Sequence, residues 1–183
     1  MTRLSPVNSS GRETASSSQA GSFGLGKGFI GSLTGNRSEV ISGRASIKGS
    51  YFGRESYTQI LRTDPNVIRF SANQSYRVTF RYRILTAPSK GFDVLFLSGK
   101  GLAAGNYVPG LTINGKDGET ETATLSAKLR PYDDYWVNWS INATGALVID
   151  DIQLVDVASG QVIASERGES PIAIENPAAA ARP

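Results

Sequence analysis

The chain has 183 residues, room for one domain with a sizeable core plus tails but not for two average domains. Nineteen Lys and Arg against 16 Asp and Glu leave a net charge of +3, too small an excess for a dedicated nucleic-acid binder even at a pI near 9.3. With no His and no Cys, Ser-His triads, zinc hydrolases, His-ligated haem and thiol chemistry are excluded, leaving carboxylate chemistry, oxygen-ligated cations such as calcium, and binding without catalysis.

In chain order, residues 1–22 are dominated by Ser, Gly and small polar residues, with Leu4 and Val7 the large aliphatics. Such a segment buries too little to offset its ordering entropy, so it reads as a linker or flexible tail. The N-terminus has no apolar run of the kind a secretory signal needs. Nor does any window reach the roughly 18 apolar residues of a membrane helix.

From residue 23 the chain reads as strands. Gly43–Gly49 and Tyr57–Leu61 are the first, with Thr63-Asp64-Pro65-Asn66 a turn after them. Ser75–Ile84 alternates cleanly: Tyr76, Val78, Phe80, Tyr82 and Ile84 point one way, Arg77, Thr79, Arg81 and Arg83 the other. Period two over that length marks a half-buried strand. Phe92–Leu97 is a more buried strand, followed by a turn at Ser98-Gly99-Lys100-Gly101. Glu119–Leu129 alternates small and charged residues, as an exposed or edge strand does. Tyr135–Ile141 and Ala146–Val155 are two more strands, joined by a turn at Ala143-Thr144-Gly145, and Gln161–Ala164 is a last short one. Residues 171–183, rich in Pro and Ala, have linker composition again. No stretch shows a capped 3.6-residue apolar stripe. The pattern predicts a single all-β domain over 23–170, an antiparallel sandwich or barrel, flanked by two linkers as in a module of a multidomain protein.

Three phrases in order carry a resemblance: Ile41–Ile47, Gln74–Tyr82 and Val148–Leu154. Together they resemble the jelly-roll, galactose-binding-like carbohydrate-binding modules appended to bacterial polysaccharide-degrading enzymes. The resemblance spans roughly residues 22–157 and is more specific for the fold than for the ligand. It implies an antiparallel β-sandwich (a jelly roll) that binds a polysaccharide or oligosaccharide and is covalently linked to a catalytic domain in a secreted bacterial protein. It also implies a structural calcium ion (Ca2+). Carried over by position, the carboxylate is Asp150 or Asp151, with backbone carbonyls near Ser22 and near Gly43. The family's acidic residue early in the first strand has no counterpart in Gly21-Ser22-Phe23-Gly24. Asp150 or Asp151 bonding backbone amides at a strand end is the alternative.

Sugar recognition needs a flat apolar surface for the pyranose face and polar groups for the hydroxyls. If Val137, Trp139 and Ile141 face inward, Trp136 and Asn138 face out, and Trp136 is the stacking platform; a one-residue slip exchanges the two tryptophans. Thr79, Arg81 and Arg83 line the outer face of their own strand, where two arginines suit a uronate or sulfate or else form a solvated face. Tyr51, Phe52 and Tyr107 lie among loop glycines, as ligand contacts or as caps on the sandwich end.

The expected protein is therefore a non-catalytic, monomeric carbohydrate-binding module acting outside the cell, with no nucleic-acid or membrane partner. A structural or adhesion module that binds protein is the alternative. A carboxylate-dependent glycosidase or lyase ranks below it. That enzyme needs two carboxylates about 5 or 6.5–9.5 Å apart, and only Asp93, the pair Asp133 and Asp134, and the pair Glu119 and Glu121 offer them.

Overall fold

The structure, a computed structural model, describes residues 23–24, 29–54, 57–106 and 108–167. The expected tails at 1–22 and 171–183 lie outside it, as do Ser22 and Tyr107. In chain order the elements are β1 (Phe23–Gly24), β2 (Ser32–Thr34), β3 (Ser46–Tyr51), β4 (Thr58–Thr63), β5 (Ser75–Thr86), β6 (Phe92–Ser98), α1 (Gly99–Ala103), β7 (Gly110–Ile113), β8 (Thr120–Lys128), β9 (Tyr135–Ile141), β10 (Gly145–Asp156) and β11 (Val162–Glu166).

The strands form two antiparallel sheets. Sheet A has the order β1-β4-β9-β6-β7; sheet B has the order β2-β3-β10-β5-β8, with β11 beside the second half of β10. The expected β-sandwich is therefore the observed one. In β5 the alternation holds residue by residue: Tyr76, Val78, Phe80, Tyr82 and Ile84 are each at most 5% exposed. They meet Val137, Trp139 and Ile141 of β9 and Phe92, Val94 and Phe96 of β6 in one core. Phe80 from sheet B meets Trp139 from sheet A edge to face at 6.0 Å, a geometry aromatic rings prefer. Gly49 of β3 marks where the sheets approach closely, since a Cβ there would lie 2.7 Å from Ile60 of β4.

Three short strands and the helix go beyond the sequence reading. β1, β2 and β7 have two to four residues each, too few to show a period. The turn read at Ser98–Gly101 is the start of α1, where the Ser98 hydroxyl caps the helix by accepting the Gly101 N–H at 2.9 Å. β8 sits at the edge of sheet B, as its composition suggested.

Candidate functional site

The outward face of sheet A is built around β9. Trp136, Asn138 and Ser140 alternate with the core residues Val137, Trp139 and Ile141, so they point away from the core. Cross-strand pairing fixes their neighbours. Leu97 lies opposite Trp136, Leu95 and Arg62 flank Asn138, and Asp93 and Gln59 flank Ser140. Thr112 of β7 extends the last row and donates to the Asp93 carboxylate at 2.6 Å.

Tyr57, just before β4, lies over this face. The Asn138 side-chain amide donates to its phenol oxygen at 2.8 Å. Burial pushes the Tyr57 phenol above its ordinary value; hydrogen bonds from Ser140 and Asn138 oppose that, and the Asp93 charge adds to it. The cover is tight enough that Asn138 and Ser140 are fully buried although they point outward. Asn138 is therefore no open contact, a correction to the expectation of an exposed amide beside Trp136. Its Oδ1 and the Trp136 indole N–H are both buried without a hydrogen-bond partner among the described residues. Unpaired buried groups of this kind cost roughly 1–3 kcal/mol each.

Trp136 is half-buried. It lines a cleft of about 360 Å³ with Arg62, Pro65, Arg69, Asp133 and Asp134. The Arg62 guanidinium stands over the Phe29 ring at 5.5 Å. Asp133 pairs with Lys100 at 2.6 Å. Asp134 accepts the Ser98 hydroxyl and, at 2.9 Å, the Lys100 amide. Burial pushes the Asp134 carboxyl up, but the Ser98 bond and then the Lys100 amide outweigh it, and the net displacement is downward.

The remaining candidates sit elsewhere. Thr79, Arg81 and Arg83 are on the outer face of sheet B, so the expected ligand residues do not share one surface. Their polar groups are engaged internally. Thr79 bonds Thr124 at 3.3 Å, and Arg81 reaches Asp151 at 3.4 Å. Arg83 donates to Thr120 at 2.8 Å and to the carbonyls of Ser38 and Val40 at 3.0 and 3.4 Å. It thereby pins the loop before β3 across the sheet, and beneath that loop Val148 and Asp150 of β10 are at most 1% exposed. Tyr51 packs against the core, whereas Phe52 is 64% exposed in the β3–β4 connection.

The expected calcium ligands Asp150 and Asp151 lie at a bulge in β10, with Asp151 in a left-handed conformation at φ 49°. Asp150 Oδ2 accepts the Ser42 N–H at 3.1 Å, the Ser42 hydroxyl at 3.1 Å and the Ser46 hydroxyl at 2.7 Å, while Oδ1 accepts the Asp151 N–H at 2.8 Å. Asp151 accepts Ser42 Oγ at 3.1 Å and faces the Arg81 guanidinium. Gly43 is exposed in the same loop. Calcium asks for six to eight oxygen ligands. Here protein donors take the buried carboxylate's lone pairs, and an arginine stands at its neighbour. Among the described residues no group of three or more carboxylates gathers for a metal. Ser22, the other expected contributor, lies outside the described residues.

The other carboxylates are likewise engaged with neighbours: Glu119 accepts the Lys116 N–H at 3.0 Å, and Glu121 accepts the Tyr82 hydroxyl at 3.5 Å.

No protein-family model and no curated protein matches the sequence. Solved structures do resemble the fold. A family 16 carbohydrate-binding module superposes with a TM-score of 0.52 at 12% identity, over 71% of this chain and 88% of its own. A family 22 xylan-binding domain from Paenibacillus barcinonensis gives 0.52 at 14%, over 80% and 88%. The C-terminal family 22 module of Xyn10B from Clostridium thermocellum gives 0.53 at 13%, over 78% and 89%. The chain thus has the jelly-roll sandwich that these carbohydrate-binding modules share.

Proposed function

We propose that this chain is a non-catalytic carbohydrate-binding module whose ligand lies on the outer face of sheet A, along β9. The observation that carries this reading is Trp136, half-buried on the outward face and lining the adjoining cleft. A half-buried indole offers an apolar plane for a sugar ring. The adjoining cleft of about 360 Å³ is within the range of small-ligand sites. The likeness to carbohydrate-binding modules supports the same class of ligand.

On this reading the linker-like ends tether the module to a catalytic domain of a secreted protein, and the module holds that domain on its polysaccharide. Affinity electrophoresis against a panel of soluble polysaccharides tests it. Retardation by at least one glycan is expected, and Trp136→Ala should abolish it. Release of reducing sugar from any of them would favour the glycosidase instead, and indifference to every glycan would favour a protein-binding module.

A further inference from the structure

The cleft at the Trp136 end of sheet A is lined by two arginines and two acids, and the Lys100 ammonium on Asp133 tips its balance to positive. Its two acids are committed, Asp133 to Lys100 at 2.6 Å and Asp134 to the Ser98 hydroxyl and the Lys100 amide. Its two arginines are not. Neither the Arg62 nor the Arg69 side chain makes a hydrogen bond or ion pair with any described residue; the Arg62 guanidinium has only the Phe29 ring beneath it at 5.5 Å. Arg69 is exposed, and Arg62, half-exposed, lies opposite Asn138 on the face already described. On sheet B, by contrast, Arg81 and Arg83 are engaged by Asp151, Thr120 and loop carbonyls. Arg81 and Arg83 of β5 are thus held by the fold, whereas Arg62 and Arg69 face the cleft unpaired among the described residues.

A guanidinium is planar and presents paired N–H donors that match a carboxylate. A stacking indole in one cleft with unpaired guanidiniums suits a pyranose that carries an acid group. We infer that the cleft recognises an acidic sugar, a uronate. Trp136 takes the ring face, and Arg62 and Arg69 take the carboxylate. This rests on the carbohydrate reading above and narrows it to a class of glycan. Attraction between exposed charges is screened by salt, so the acid-specific part of binding must weaken as ionic strength rises.

Isothermal titration of the whole chain against two acidic polysaccharides, polygalacturonate and glucuronoxylan, tests this. Each is paired with its carboxyl-reduced form, which keeps the backbone and loses the charge. At least one acidic polymer should bind about tenfold or more tightly than its reduced partner, as expected for a charge-assisted hydrogen bond. The gap should shrink in 0.5 M NaCl. The double variant Arg62→Ala, Arg69→Ala should close the gap at low salt, losing far more affinity for the acidic form than for the reduced one. Its near-ultraviolet circular dichroism should stay close to that of the unaltered chain, since among the described residues neither side chain makes a hydrogen bond or ion pair and Arg62 has only the Phe29 ring beneath it. Equal affinity for the acidic and reduced forms, or a gap that survives the double variant, overturns the uronate inference while leaving carbohydrate binding intact. Failure of all four polymers and of neutral xylan to bind overturns both.

Discussion

Asp150 shows how much structure one buried carboxylate organises. It is 1% exposed and accepts four hydrogen bonds, which tie the loop before β3 to the centre of sheet B. Asp150→Ala strands the Ser42 amide and the Ser46 hydroxyl, while the Ser42 hydroxyl keeps Asp151, and it should lower stability by about 3 kcal/mol, since bonds to charged groups are worth roughly 1.5–3 kcal/mol each. At about 2–4 °C per kcal/mol for a chain of this size, thermal denaturation would show a drop near 10 °C. Excess EDTA should leave the melting temperature of the unaltered chain where it was; a fall of several degrees would show that a bound cation shares the load. The sequence announced the Asp-Asp pair but not its partners, because Ser42 and Ser46 lie more than 100 positions away. The alternation of β9 was legible, but the face each tryptophan takes was not, since a one-residue slip exchanges them; in the fold Trp139 is buried and Trp136 half-buried. Burial of Asn138 was not legible either. It depends on Tyr57, 81 positions earlier, folding over a neighbouring strand.

Elements were readable in proportion to their length and regularity. β5 runs 12 residues in strict alternation, whereas β2 has three residues and is held by side chains rather than by pattern. Glu39 supplies that hold: it accepts Thr34 of β2 at 2.9 Å and Lys48 of β3 at 2.6 Å. The Lys48 bond first, then the Thr34 bond, keeps its carboxyl below the ordinary value of 4.5. A carboxylate with a depressed folded pKa adds stability that is complete above its unfolded pKa and lost as pH falls through the folded one. The contribution should therefore stand in full above about pH 5 and fade below about pH 4. Melting temperatures of the unaltered chain and Glu39→Gln should differ at pH 6 and converge toward pH 3. A difference that stays constant over that span would assign the effect to packing instead. The bulges resisted reading for a related reason. In β4 the register shifts between Gln59 and Leu61, so that Ile60 and Leu61 are both buried, and simple alternation forbids that.

At the scale of the whole molecule, the two outer faces have been given different tasks. Sheet B carries the loop before β3, clamped by Arg83 on the carbonyls of Ser38 and Val40 and by Asp150 on Ser42, and the middle of β10 is sealed beneath it. Sheet A carries Tyr57 at one place and leaves Trp136 and its cleft half-open. Stability and binding should therefore separate under mutation. Arg83→Ala removes the side-chain bond to Thr120 and the loop clamp and should lower stability by about 1–2 kcal/mol, the range for partly exposed hydrogen bonds, with glycan affinity unchanged. Trp136→Ala should do the reverse. Its ring lies on the rim of the sandwich rather than between the sheets, so the melting temperature should fall by only a few degrees, while retention on the glycan disappears. Running both variants through denaturation and affinity electrophoresis completes the cross. If Arg83→Ala weakened binding as much as Trp136→Ala at unchanged stability, the ligand would belong on sheet B, and the loop across that sheet would have to move aside to admit it.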